Sequence, residues 1–306
     1  LHKLIEDNYS IGKVTKIEKH CGGCINDNYV VTTADKRYFW RAYNTKRSQE
    51  DIAFEHSLLC YLQEIQFSHS SPLVYTKAQQ TYIYDNDRYY ALFGFLNDRV
   101  VYNWDEDCSL AHLESAALLQ ARYHQAVHEW NPVHPRKISW EAFFDKLRQK
   151  IVEKRSYNTL LTPHRKHLIA QTNHTSCFLK SIAKLSLPKI VIHGDYHPEN
   201  VMFNGEKATA VLDFDWCIFF YRIFDVALAM FYFCCSWSDH TLCSKKCEAY
   251  LKNYENILTL SPEEHQVLDD FFIVARLYLL KWLLDDYDRL STQQQIKYLE
   301  HFCHFH

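Results

Sequence analysis

The chain has 306 residues, 47% hydrophobic and 23% charged, with a formal net charge of −3 and 18 histidines. This is ordinary globular composition, long enough for one large or two modest domains, without the clustered basic residues of a nucleic-acid or anionic-membrane surface. Eleven cysteines, an odd number in a long chain, fit reduced thiols better than a disulfide framework.

The residues Leu1 to Asp7 contain no signal-like apolar segment, and the longest apolar run, Val226 to Trp237, is too short to cross a bilayer. The expectation is a soluble cytoplasmic protein, monomer or homodimer, with no nucleic-acid or membrane partner. Two strand-like segments come first, Val14 to Glu18 and Tyr29 to Thr33. The loop joining them holds Gly22 and Gly23, two of only six glycines. Adjacent glycines let backbone N–H groups approach a phosphate, so the loop is either a lid over nucleotide phosphates or a plain hairpin turn. Cys21 and Cys24 have C-x-x-C spacing but precede a strand rather than open a helix, and they are read as unliganded thiols.

A third strand, Arg37 to Ala42, carries Arg41 among aromatic and apolar neighbours. A helix from about Gln49 to Gln63 follows, and helical spacing puts Glu55 in the seam of Ile52, Leu59 and Leu62. A carboxylate there calls for a cation. Either Glu55 is solvated and Arg41 makes a surface pair, or Arg41 contacts phosphates while Glu55 holds it, as the strand-three lysine and helix glutamate of kinases do. Thr81 to Tyr84 and Tyr89 to Phe93 predict another hairpin. Gly94, Phe95 and Leu96 then lead out of the β-rich region, which sets a domain boundary at 96/97. A nucleotide there would place adenine against the backbone near Gly94 and Leu96, with Phe93 or Phe95 as a wall.

Helices dominate afterwards, over Ser109 to His128, Trp140 to Arg155 and Pro163 to Leu185, and His124 is read as a hydrogen-bonded core histidine. Ile190 to Ile192 then delivers His193-Gly194-Asp195-Tyr196-His197-Pro198-Glu199-Asn200, whose H-x-D-x-x-x-x-N spacing is that of a kinase-type catalytic loop. Phosphoryl transfer needs a carboxylate to orient a hydroxyl and take its proton, and a neutral oxygen donor for Mg²⁺; Asp195 and Asn200 fit. Asn204-Gly205 predicts a type I′ hairpin ending in Asp213-Phe214-Asp215, which would return Asp213 as a second metal ligand. Asp225 lies near the start of an apolar helix, favoured there by the helix dipole or bonded to the catalytic loop. His240, Cys243 and Cys247 lack a fourth metal ligand and are read as free. Two final helices, Ala249 to Ile257 and Pro262 to Asp286, carry the acidic groups Glu263-Glu264 and Asp285 to Asp288, read as solvated faces in preference to an amine site.

Taken together, Gly22-Gly23, Asn28-Tyr29, Phe39-Trp40-Arg41, Glu55, Ala121 to His124, His193 to Asn200, Asp213 to Asp215 and Phe224 to Ala227 resemble the aminoglycoside phosphotransferase and choline kinase superfamily. That group includes the type II homoserine kinases. The resemblance implies a bilobal, protein-kinase-like α+β fold, with a β-rich N-lobe over residues 1–96 and a larger, mainly helical C-lobe over 97–306. It implies ATP and Mg²⁺ as cofactors and a small-molecule hydroxyl as acceptor, an amino alcohol or aminosugar among the candidates. Asp195 would be catalytic, and Asn200 and Asp213 the metal ligands. Gly22, Gly23, Arg41, Glu55, Gly94, Phe95 and Leu96 would bind nucleotide, with His193 and Asp225 supporting the catalytic loop. A protein Ser/Thr kinase and an inactive nucleotide-binding module are the alternatives.

Overall fold

The computed structural model describes residues 1–20, 25–153 and 158–303, and the chain divides into two units. One comprises Leu1–Arg99, Pro132–Pro135 and Thr209–Asp215; the other comprises Val100–Asn131, Arg136–Ala208 and Trp216–His306. The Gly22-Gly23 loop and its two cysteines lie outside the described residues.

The first unit opens with α1 (His2–Asn8), which the sequence reading did not foresee. Strands β1 (Val14–His20), β2 (Asp27–Thr33) and β3 (Arg37–Ala42) follow, then α2 (Gln49–Glu64), β4 (Ile83–Asp85) and β5 (Arg88–Gly94). The five strands form one antiparallel sheet in the order β1-β2-β3-β5-β4. Its core explains α1: Ile5 and Tyr9 pack with Val14, Val31, Trp40 and Leu92, and Trp40 stands between Tyr9, 5.8 Å away, and Tyr90, 5.4 Å away. Ser48 caps α2 through the backbone N–H of Asp51 at 3.1 Å. The β4–β5 turn has positive φ at both Asn86 (47°) and Asp87 (58°), the type I′ geometry without a glycine.

A two-residue strand β6 (Arg99–Val100) precedes the helical region: α3 (Leu110–Ala126), α4 (Trp140–Val152), α5 (Asn158–Leu161) and α6 (Arg165–Ile182). The catalytic-loop segment is flanked by β7 (Lys189–Ile192) and β8 (Val201–Asn204), and β9 (Lys207–Val211) leads to Asp213. Here the turn differs from expectation. The connecting residues are Gly205 and Glu206, and only Gly205 has positive φ (58°), so glycine comes first, as in a type II′ turn.

The chain continues through β10 (Ile218–Tyr221), α7 (Arg222–Cys234), α8 (Ser244–Glu255), α9 (Pro262–Asp286) and α10 (Thr292–Cys303). Phe219, Phe220 and Tyr221 form β10 together with Ile218, and the strand pairs antiparallel with β7, Ile218 opposite Ile192. Every residue of α7 is buried, which is why its apolar run shows no polar face. A capping box starts α9, with Ser261 and Glu264 bonding each other's backbone N–H. Glu264, expected to be solvated, is fully buried and also receives Arg222, from the first residue of α7, at 3.0 Å through Nε and through a second, shorter bond. The nine described cysteines are all free thiols, and no helix of the described residues is long and apolar enough to cross a membrane.

Candidate active site

Two groups of the expected residues are assembled, one in each unit. In the second unit, β7 ends in a loop whose shape is held from beneath by Asp225. Its Oδ1 accepts the Gly194 backbone N–H at 2.8 Å, and its Oδ2 accepts that of His193 at 3.3 Å, the His124 Nε2–H at 2.9 Å and the Gln120 amide at 3.2 Å. Asp225 and His124 are fully buried. Burial alone would raise the Asp225 carboxyl, but the bond from His124, the neighbouring His124 and His193 rings and the Gly194 N–H together hold its pKa below the usual carboxylate range. Burial pushes His124 down, and the Tyr254 hydroxyl donates to its Nδ1 at 2.7 Å, the tautomer in which neutral His124 donates to Asp225. Asp225 thus bonds two successive backbone N–H groups of the loop.

Within the loop, the Asp195 backbone N–H donates to Nδ1 of the buried His193 at 3.3 Å. The Asp195 carboxylate stays partly exposed, with Asn200 Nδ2 3.3 Å and His197 Nε2 3.5 Å from its Oδ2. The Asn200 amide NH₂ also donates to the Asp195 carbonyl at 2.9 Å and meets His197 Nε2 at 2.9 Å, so Oδ1 is the atom it has to offer a metal. Gly194 has φ 76°, and a Cβ there would lie 2.5 Å from the Trp216 carbonyl oxygen. Gly194→Ala should therefore cost about 1–3 kcal/mol of backbone strain and lower activity. A urea midpoint and turnover both equal to wild type would contradict the geometry.

In the first unit, Arg41 is 92% removed from solvent and is surrounded by carboxylates: Asp215 Oδ1 at 2.7 Å, Asp213 Oδ1 at 3.2 Å and Glu55 Oε1 at 3.4 Å. Glu55 sits in the predicted seam, 1% exposed. The closest ion partner of Arg41 is Asp215, however, a residue to which the sequence reading gave no role. Arg47 supports Asp215 by donating to its backbone carbonyl, and Asn26 donates to its Oδ2 at 2.6 Å. Burial and the Asp215 charge push the Glu55 pKa well up, whereas Arg41, Arg47 and the bonds from Asn26 and Glu55 overcome burial and hold Asp215 down. Asp215 is thus the more acidic of the two carboxyls and Glu55 the less. Asp213 has φ 58°, rare outside glycine, and keeps about a third of its side chain exposed.

Gly94, at the end of β5, has its N–H bonded to Pro72 O at 2.8 Å and its carbonyl to the Ser71 hydroxyl at 2.5 Å, so it serves the sheet. Phe95 has the Arg37 guanidinium 4.1 Å over its ring, and Leu96 is half-buried beyond the strand. An amide oxygen such as Asn200 Oδ1 and a carboxylate such as that of Asp213 are each, taken singly, the hard oxygen type that Mg²⁺ prefers.

A model of the Phosphotransferase enzyme family matches residues 16–260. A homoserine kinase of Sinorhizobium medicae (strain WSM419) is 24% identical over 286 residues, covering 93% of this chain and 82% of the relative. Among solved structures, a microcompartment-associated aminopropanol kinase superposes with TM-score 0.72 at 18% identity, covering 98% of this chain and 94% of that one. Amicoumacin kinase hAmiN, in complex with AMP-PNP, Ca²⁺ and Ami, gives 0.71 at 14% identity, covering 99% and 96%. The protein-kinase-like fold, an antiparallel N-terminal sheet followed by a mainly helical region, is thus common to all three chains.

Proposed function

Because this chain belongs to the Phosphotransferase enzyme family, and is an ATP-dependent small-molecule kinase, we propose that its acceptor is a hydroxyl on an amine-bearing compound, an amino alcohol or an aminosugar. The observation that carries the catalytic half of this reading is the Asp195 carboxylate, left partly exposed on a loop whose backbone is tied to a buried, ionised Asp225. Asp195 orients the acceptor hydroxyl and takes its proton as the new P–O bond forms. His193 and Asp225 keep the loop in register. Asn200 and Asp213 are the proposed protein ligands of Mg²⁺, and Arg41 the proposed phosphate contact. Mg²⁺-ATP, when bound, would supply the γ-phosphoryl group and leave as ADP as its β–γ bridging P–O bond breaks, and the metal would offset the phosphate charge.

The amine half rests on the relatives, whose names specify homoserine and aminopropanol as acceptors. It is tested by ADP release from Mg²⁺-ATP across L-homoserine, aminopropanol, aminosugars, aminoglycosides, ribosides and a generic protein. One amine-bearing alcohol should stand well above the others and lose its signal in Asp195→Asn. Turnover confined to amine-free alcohols would remove the amine from the proposal.

A further inference from the structure

Beside the catalytic loop, within the second unit, lies a group of side chains that the transfer chemistry does not use. The His197 ring is 5.1 Å from that of Tyr232, and Tyr232 meets Trp104 edge-on at 6.1 Å. Trp104 in turn contacts Trp237 at 5.3 Å and Tyr298 at 4.5 Å. Against these rings stands the ammonium of Lys297, from α10, 5.2 Å from the Trp237 centroid and 5.9 Å from that of Tyr298. The same Nζ donates to Asp105 Oδ2 at 2.7 Å and to the Asp105 carbonyl at 3.2 Å, and the Tyr298 hydroxyl donates to Oδ2 at 3.0 Å. Glu199 accepts the Trp104 backbone N–H and feels the charges of both Asp105 and Asp195. Acidic groups thus run from Asp105 towards the catalytic carboxylate.

We propose that Asp105 and the rings of Trp104, Trp237 and Tyr298 form the subsite for the acceptor's ammonium group, and that Lys297 occupies it as an internal substitute which the acceptor displaces. The inference rests on the amine-bearing reading above. A carboxylate walled by aromatic faces attracts an organic cation. The Lys297 head is itself a primary ammonium, so its position shows that the site admits that group. Its side chain is 41% exposed on a flexible stem that can swing to water without disturbing α10. The Trp237 indole N–H, on a residue only 9% exposed, has no hydrogen-bond partner among the described residues. An acceptor carrying oxygen next to its ammonium would supply one.

The test uses the full chain and methylammonium, which has no hydroxyl and cannot be phosphorylated, followed by tryptophan fluorescence at constant ionic strength. Lys297→Met should bind methylammonium about tenfold more tightly than wild type, because the competitor is gone while Asp105 and the rings remain. Adding Asp105→Asn to that variant should abolish the gain. Binding no tighter in Lys297→Met, as a plain helix clamp would give, overturns the proposal, and so does a gain that survives Asp105→Asn. Since this readout involves no phosphoryl transfer, its failure is separate from failure of the acceptor panel.

Discussion

Asp195→Asn is expected to lower kcat by about 10²–10⁴-fold while leaving the fold and the KM for ATP close to wild type. The substitution keeps the shape of the side chain and its place between Asn200 and His197, at 3.3 and 3.5 Å, but removes the carboxylate proposed to accept the hydroxyl proton. The loop does not depend on that carboxylate for its form, because its backbone is tied to Asp225 and to His193 Nδ1. Coupled measurement of ADP release with the best acceptor decides the matter. Turnover within a few-fold of wild type would assign the proton to another group.

Arg41→Met carries the second large effect, and here stability falls along with activity. The guanidinium is buried against Asp215, Asp213 and Glu55, and a methionine of similar length leaves an ionised Asp215 at 2% exposure with its nearest cation removed. Removing one partner of a buried ion pair costs about 3–5 kcal/mol, more than Arg47 and Asn26 can offset. The unfolding midpoint in urea should drop accordingly, and ATP binding with it. Arg41→Met, Asp215→Asn should recover much of the midpoint, because the stranded charge is then gone, but not ATP binding. A single variant as stable as wild type would mean that Arg47 alone neutralises Asp215.

The parts of the molecule legible in the sequence were those written in local signals. Strand β3 and the helix α9 fall where the pattern of residues put them, over Arg37 to Ala42 and Pro262 to Asp286. The loop from His193 to Asn200 lies where the two short apolar runs beside it, now β7 and β8, put it. Other features depend on distant partners. Helix α1 is seven residues long and exists because Ile5 and Tyr9 cover Trp40 and Leu92. Strand β10 is four residues of apolar and aromatic side chains that helical and strand patterns describe equally well, and only pairing with β7 decides between them.

The same distinction holds in the site. The seam position of Glu55 left a solvated and a buried carboxylate both open, and the precedence of Asp215 as partner to Arg41 follows from three acids competing for one guanidinium across more than 170 residues of chain. Arg47 and Asn26 carried no signal beyond being polar residues near strand ends. The acidic pair Glu263-Glu264 misled because charge clusters usually face water, whereas Glu264 had a cation waiting at the start of another helix.

That last contact has a dynamic consequence. Glu264 closes the first turn of α9 and, through Arg222, the first turn of α7, while Arg222 also reaches the Thr259 carbonyl at 3.2 Å just before α9. Neither helix can fray at its N-terminus without stranding a buried charge belonging to the other. The two starts therefore open together or not at all, as one cooperative unit of the native-state ensemble. Asp225 stands in the first turn of α7, so local melting at the head of α9 would also loosen the hydrogen bond that ties Asp225 to the Gly194 N–H, some seventy residues upstream.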